Sequence, residues 1–217
     1  MRKTSLITAA LFAAALAPSA GSAQSMSEFN DSWFWGVKAG VSTFSPTLGS
    51  THSTASYGAD WMITRTRGGL YVSFDEANLS AMSAVFDPTA DDSFRSVRVS
   101  RLHRISFAAL AFPWHFGRVR PYAGLGLTVN VIGSATPQLS ASETSLDDAV
   151  SQRIDDRRSQ AAILGMAGVQ VQFNRLAVFG QASVAPSSAN FLLNNSALGF
   201  FELGIRYNFG TAREGLH

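Results

Sequence analysis

The sequence predicts an all-β protein, an eight-stranded antiparallel up-and-down transmembrane β-barrel. Three observations predict it. Apolar and polar residues alternate with a period of two in one segment after another. Short and long connections follow each other in turn along the chain, as they do when strands run up and down through a bilayer. The N-terminus carries the pattern of an export signal.

The first 23 residues have the three parts of a secretory signal peptide. A basic Arg2-Lys3 pair is followed by a short apolar run and then by small residues up to Ala23. The apolar run is shorter than the roughly 20 residues that a membrane-spanning helix needs. We therefore expect Sec-type export and cleavage after Ala23, with Ala20 as the alternative, which leaves a single barrel domain over residues 24–217.

Composition narrows the classes of function. Charged residues make up 15% of the chain, below the roughly 25% usual in soluble domains. There is no cysteine, so neither a disulfide framework nor a thiol site is available. The formal net charge of +2 is too small to indicate a nucleic-acid partner. No second apolar run is long enough for a membrane helix, so any further crossing must use strands.

The alternation is clearest in the first, fifth and last segments. Five weaker segments cover residues 57–64, 69–75, 104–111, 161–173 and 176–184. Two details stand out: Leu164 and Met166 fall on the face that later carries Gln170 and Gln172, and Arg98 and Ser100 share the inner face of Arg104. The clearest outward, lipid-facing sets are Trp33, Trp35, Val37, Ala39 and Val41, then Ala123, Leu125, Leu127, Val129 and Val131, then Phe201, Leu203, Ile205, Tyr207 and Phe209.

The connections give the orientation. Short turns are predicted at 66–68, 113–120 and 174–175, and long loops at 45–53, 76–93, 134–157 and 186–196. Short turns lie on the periplasmic side of such barrels and long loops outside. A short helix is expected from Ser145, with Asp147 and Asp148 in its first turn. An aromatic belt is predicted at the periplasmic boundary from Trp33, Trp35, Phe112, Trp114, Tyr122, Phe173, Tyr207 and Phe209.

The inner face is predicted to hold a polar network that closes the lumen. An eight-stranded barrel is only wide enough for its own side chains, and charges shielded from water must be paired. We expect Glu202 to contact Lys38 on the adjoining first strand or Arg206 on its own strand. The network residues are Lys38, Asp60, Asp75, Arg104, Glu202 and Arg206.

Three stretches carry a resemblance to a known family: Trp-Gly-Val-Lys-Ala-Gly-Val at 35–41, Arg-Pro-Tyr-Ala-Gly-Leu-Gly-Leu at 120–127 and Glu-Leu-Gly-Ile-Arg-Tyr-Asn-Phe at 202–209. The chain resembles the eight-stranded outer-membrane protein β-barrels, which include the opacity-type proteins and the membrane domain of outer membrane protein A. The resemblance implies the outer membrane of a Gram-negative bacterium, and a barrel-assembly machinery that reads Tyr207 and Phe209. Family members end at such an aromatic residue, whereas this chain continues to His217.

For function, the sequence favours a monomeric barrel with a structural or surface-interaction role through its loops, in contact with lipopolysaccharide. Acidic loop residues such as Asp87 and Asp155 either form a solvated surface or bind divalent cations that bridge to lipopolysaccharide. A passive, porin-like channel is the alternative. A lipid A-modifying enzyme is remote, because residues 194–196 offer asparagine where a deacylase has its histidine. No enzyme activity and no cofactor are expected. No metal is expected either, since the four histidines match no metal motif.

Overall fold

A computed structural model describes residues 29–46, 50–88, 93–138, 147–188, 190–193 and 197–211; the predicted signal peptide and its cleavage site lie outside them. Eight antiparallel strands pair in chain order and close into a barrel where the last pairs with the first, so the predicted fold class is confirmed. The elements are β1 (Ser32–Phe44), β2 (His52–Thr64), β3 (Gly68–Phe86), β4 (Phe94–Ala111), β5 (Val119–Pro137), α1 (Asp147–Asp155), β6 (Ser159–Phe173), β7 (Leu176–Ala185) and β8 (Leu198–Thr211).

The outer surface of the barrel wall is apolar. Leu125 is 72% exposed and Leu203 is 71% exposed, and their neighbours on the same faces are also large apolar residues. Such a surface is stable when lipid rather than water surrounds it. In β6 the parity is regular, because Leu164 and Met166 lie inside together with Gln170. Among the described residues, no helix is long and apolar enough to span a membrane.

Strands β3, β4 and β5 are much longer than predicted, with 19, 18 and 19 residues. The predicted loop 76–93 is mostly strand, since β3 runs to Phe86 and β4 begins at Phe94. In this part the alternation is inverted: apolar side chains such as Leu79 and Val97 face inward and polar ones such as Ser80 face outward. Water rather than lipid surrounds strands beyond a bilayer, so an outward apolar face is not needed there.

The prediction that Arg98 and Ser100 face inward with Arg104 is wrong, because both are exposed. The register of β4 against β5 is irregular around Arg101, and Ser100 and Arg101 are both exposed in succession. A bulge of this kind moves all residues on one side of it to the opposite face.

Three layers of side chains fill the interior. The turn end, where the short connections 65–67, 112–118 and 174–175 lie, is closed by the turn-end aromatic cluster, which includes Phe29, Phe34, Tyr71, Phe112 and Tyr122. A charged network occupies the middle. The loop end is closed by the loop-end apolar cluster, which includes Leu79, Val85, Val97, Val99, Ile132, Val150, Ile154, Phe191, Leu192 and Leu193.

Candidate functional site

The six charged residues predicted for the lumen all lie buried inside the barrel. Four of them form one group. Lys38 Nζ lies 2.6 Å from Asp75 Oδ1 and 3.1 Å from Glu202 Oε1. Arg104 Nη2 lies 2.8 Å from Asp75 Oδ2 and 3.4 Å from Glu202 Oε1. Two cations therefore alternate with two carboxylates, and each charge touches both of its opposites.

The other two form a bidentate pair. Arg206 Nε donates to Asp60 Oδ1 at 2.9 Å, and Nη2 donates to Oδ2 at 3.0 Å. The guanidinium carbon lies 3.6 Å from the centre of the Phe179 ring. Its remaining donor, Nη1, reaches Gln170 Oε1 at 2.9 Å. Planar two-point pairing of this kind is the strongest arrangement that arginine and a carboxylate form.

Gln181 joins the two groups. Its Nε2 donates to Glu202 Oε2 at 2.9 Å and to the Tyr71 hydroxyl at 2.9 Å. Its Oε1 accepts from Tyr122 at 2.9 Å and from Arg206 at 3.2 Å. The sequence analysis did not identify Gln181 or Gln170 as members of the network, although both occupy inward positions on strands with apolar outer faces. Uncharged amides on an inner face are the signal that could have found them.

Of the two contacts expected for Glu202, the structure contains the one with Lys38. Arg206 pairs with Asp60 instead. The reason is strand geometry. Glu202 and Arg206 are four residues apart on β8, a separation of roughly 13 Å. Asp60 lies on β2, which is separated from β8 only by β1.

Six of the eight residues predicted for the aromatic belt have exposed side chains: Trp33, Trp35, Trp114, Phe173, Tyr207 and Phe209. Phe112 and Tyr122 were predicted wrongly, because both are buried inside the turn-end aromatic cluster. Tyr122 has inward parity on β5, and Phe112 packs edge-on against Phe29 with ring centres 4.8 Å apart. Tyr207 and Phe209, the predicted assembly signal, form an edge-on pair on the outer wall, 5.0 Å apart.

At the loop end, the connections fold inward. Helix α1 is confirmed at Asp147–Asp155, and its Val150 and Ile154 are buried in the loop-end apolar cluster. The backbone of Leu192 is held there, because its carbonyl accepts from Ser83 Oγ at 2.5 Å. The lumen is thus covered above the charged network as well as below it.

The acidic loop residues are not a uniformly solvated surface. Asp87 is buried, and its two carboxylate oxygens accept from Arg95 Nε at 2.9 Å and from Arg153 Nη1 at 2.6 Å. Asp155 pairs with Arg158 at 2.9 Å. The described residues contain no group of three or more acidic or histidine side chains that could hold a metal ion. The lipase-like stretch 194–196 lies outside the described residues, and Glu202 belongs to the charged network.

Above the barrel wall, β3, β4 and β5 continue as a three-stranded sheet, which we call the projecting sheet (residues 79–86, 94–101 and 132–137). Pairing of β2 with β3 ends at Ser56–Ala77, and pairing of β5 with β6 ends at Val131–Ser159. The two edges of the sheet differ. Arg158 caps the β5 edge, donating to the carbonyls of residues 132 and 133 at 3.1 and 3.0 Å.

Within the described ranges, no strand pairs with residues 79–86 of the projecting sheet on the side away from β4, although Ser83 in this stretch is hydrogen-bonded to Leu192. We call this side the open β3 edge, in the sense that no strand covers it. The tip carries an exposed aromatic pair, Phe86 and Phe94, with ring centres 5.9 Å apart. An unpaired strand edge presents backbone donors and acceptors that another extended chain can satisfy.

Solved structures that are similar to this one include two surface proteins. The first is Neisserial surface protein A, with a TM-score of 0.56, 15% identity, and coverage of 82% of this chain and 97% of that one. The second is Ail, the attachment invasion locus protein of Yersinia pestis, solved with the heparin analogue sucrose octasulfate; the TM-score is 0.51, the identity 12%, and the coverage 83% and 99%. No protein-family model and no curated protein matches the chain. The chain has the fold of eight-stranded outer-membrane β-barrels.

Proposed function

We propose that this protein is an integral outer-membrane barrel of a Gram-negative bacterium, closed to solutes, whose projecting sheet binds a partner at the cell surface. The observation that carries the proposal is the contrast between the two ends of the molecule. The turn end has only short connections, whereas the loop end carries a sheet that rises beyond the barrel wall with one edge open. No catalytic role is assigned.

The outer-membrane location is supported by the apolar outer wall and by the predicted signal peptide. It requires that the mature chain begin near Gln24 and fractionate with the outer membrane. N-terminal sequencing of the protein isolated from that fraction tests both points. A chain that still begins at Met1 would contradict export with cleavage.

A closed lumen is supported by the two buried apolar clusters, which lie on either side of the charged network. The passive-channel alternative requires a continuous water path through buried ion pairs, and no side chain of the network is exposed enough to line one. Planar-bilayer recordings of refolded protein, with and without lipopolysaccharide, decide between the two. We expect no steady unitary current, and a steady current that is the same in wild type and Glu202→Ala would favour the channel.

The surface-interaction role is supported by the open β3 edge, because adding a strand to a sheet edge is a common way of binding an extended peptide. Two substitutions separate edge pairing from aromatic contact. Ser80→Lys places a charge on the open strand, which discourages pairing, and Phe94→Ser removes half of the exposed aromatic pair. Ser134→Lys, on the strand whose edge Arg158 already caps, is the matched control.

A binding assay on cells that express each variant measures the effect. Attachment to host cells or extracellular matrix that falls with Ser80→Lys but not with Ser134→Lys supports the open edge as the binding element. Equal attachment by all variants and by cells that lack the protein would refute the role.

Lipopolysaccharide is the lipid partner that we propose for the loop end. Arg98 and Arg101 are exposed on β4 above the apolar wall, and Arg101 is paired with Glu76 at 3.2 Å. Guanidinium groups at this level match the phosphates of lipid A. Slower refolding of Arg98→Gln in vesicles with lipopolysaccharide, but not in vesicles without it, is the expected result.

A further inference from the structure

We infer that the turn end of the barrel holds a binding pocket for the phosphate of an anionic phospholipid. This inference rests on the proposed function, because it requires the turn end to face the inner leaflet. The pocket has a volume of about 470 Å³ and lies between the turns that join β2 to β3 and β4 to β5. Asn30, Arg67, Trp114, His115, Phe116 and Arg120 are among the residues that line it.

The charge of the pocket selects an anion. Arg67 and Arg120 line it, and none of its lining residues within the described ranges is acidic. Within the described part of the chain, neither guanidinium forms an ion pair, whereas nearby Arg65 is paired with Asp31 at 2.5 Å. Guanidinium groups bind phosphate oxygens through two parallel N–H donors, so two unpaired arginines at one pocket favour a phosphate ligand.

The pocket is built on fixed supports. The Arg120 guanidinium carbon lies 4.1 Å from the centre of the Phe29 ring, which leaves its in-plane donors for a ligand. The Phe112 amide donates to the Arg67 carbonyl at 2.8 Å, which joins the two turns. The second turn is closed by two hydrogen bonds between Phe116 and Val119, at 2.9 and 3.0 Å. Gly117 in that turn has φ of 61°, a conformation that side chains other than glycine rarely adopt.

The aromatic residues of the pocket place it at a lipid surface. Trp114 is 64% exposed and Phe116 is 69% exposed. In a soluble protein, large apolar rings of this kind are usually buried. Aromatic rings with this exposure are stabilised at the boundary between headgroups and acyl chains. The outer wall next to the pocket is apolar from Ala111 and Ala123 upward, and a shallow depression of about 1010 Å³ begins there. A phosphate in the pocket would therefore have its acyl chains on this wall.

The turn end as a whole is cationic. Its described connections and the adjoining strand starts contain one carboxylate, Asp31, and five arginines: Arg65, Arg67, Arg118, Arg120 and Arg175. A soluble polyanion that bound to one side of the barrel would contact arginines on that side only. Arginines on all three turns are suited to a headgroup layer that surrounds the barrel, and the pocket is the place where two of them converge.

The experiment measures which lipid the folded barrel retains. Protein is refolded in vesicles of phosphatidylethanolamine with a minor fraction of phosphatidylglycerol, then released in mild detergent and examined by native mass spectrometry. We expect phosphatidylglycerol to be retained in preference to phosphatidylethanolamine. Both lipids carry a phosphate, but the ammonium group of phosphatidylethanolamine is repelled by two guanidinium groups. Arg67→Gln combined with Arg120→Gln should therefore reduce this preference by about tenfold or more.

Two controls keep the test specific. Arg175→Gln removes a cation of the same end outside the pocket and should leave the preference within about twofold of wild type, a difference well under the factor that 1.4 kcal/mol represents. Arg67→Gln alone, at an exposed turn position, should fold normally and lower the preference if the double variant does not fold.

The outcomes separate this inference from the proposed function. A barrel that inserts into vesicles but shows no preference for phosphatidylglycerol overturns the pocket and leaves the proposed function standing. A chain that does not insert at all overturns both. Binding of soluble glycerol phosphate as tight as that of the lipid, or Arg67-dependent sedimentation with peptidoglycan, would assign the pocket to another ligand and also overturn the inference.

Discussion

Replacing Asp60 by asparagine should destabilise the barrel more than replacing Glu202 by glutamine, although both remove one buried carboxylate. In the structure, Arg206 is fully buried and Asp60 is the carboxylate with which it pairs. Asp60→Asn therefore leaves an uncompensated buried charge, a change that typically costs about 3–5 kcal/mol. The amide can still accept one hydrogen bond from the guanidinium, which favours the lower half of that range.

Glu202 is in a different position, because its two cations share a second carboxylate. After Glu202→Gln, Lys38 still lies 2.6 Å from Asp75, and Arg104 still donates to Asp75 at 2.8 and 3.0 Å. Glu202→Gln also leaves one positive charge in excess, but Lys38 and Arg104 share that excess and both still contact Asp75. We therefore expect a smaller loss than for Asp60→Asn, roughly 1.5–3 kcal/mol. Gln181 also remains able to donate to the new amide oxygen.

Equilibrium urea unfolding in liposomes measures the free energy of unfolding of both variants under one condition. A control variant carries Asp60→Leu together with Arg206→Met, which removes the pair and leaves no charge; it should recover most of the stability that Asp60→Asn loses. If Asp60→Asn costs no more than Glu202→Gln, then water or another group compensates Arg206. In that case the description of a dry, separately paired network is wrong.

Three further predictions concern the wall, the packing around the network and assembly. Leu127→Arg, at a lipid-facing position of β5, should cost about 2–4 kcal/mol in liposome unfolding; a neutral result would show that β5 is not lipid-facing there. Gly36→Ala should cost about 1–3 kcal/mol by the same measurement, because the added Cβ would lie 2.7 Å from Asp60 Oδ1 and 2.9 Å from a β8 carbonyl; unchanged stability would mean that the pair can move aside. Phe209→Ala should slow assembly in cells, as measured by the heat-modifiable folded fraction, while the refolded barrel keeps its stability; an unchanged rate would place the assembly signal elsewhere.

The number of strands and the inward or outward direction of most residues could be predicted because lipid imposes one rule on the wall. Each outward residue must be apolar, so alternation reveals both the strand and its direction. The six charged residues followed from the same rule, since they fall on the opposite parity. Their pairing could not be read from parity, because whether Arg206 reaches Asp60 or Glu202 depends on how the strands are arranged around the closed barrel.

The projecting sheet was missed because the rule changes at the edge of the bilayer. Just beyond Glu76, the outward residues Asn78 and Ser80 are polar and the inward residues Ala77 and Leu79 are apolar, so a search for regular outward apolar residues stops there. Arg98 was assigned to the wrong face for a related reason. The irregularity around Arg101 changes parity inside one strand, and nothing in the residue types marks the position.

The three interior layers also determine what a substitution in the network can do to permeability. The middle layer is polar, and its loss would admit water, but the aromatic layer around Phe112 and the apolar layer around Leu192 depend on other side chains. A polar network that is weakened by Asp60→Asn still has an apolar barrier above and below it. We therefore expect a substitution in the network to change stability more than conductance, because two apolar layers remain in place. If the lumen is closed as we propose, a channel would require the loss of the loop-end apolar cluster, the network and the turn-end aromatic cluster together.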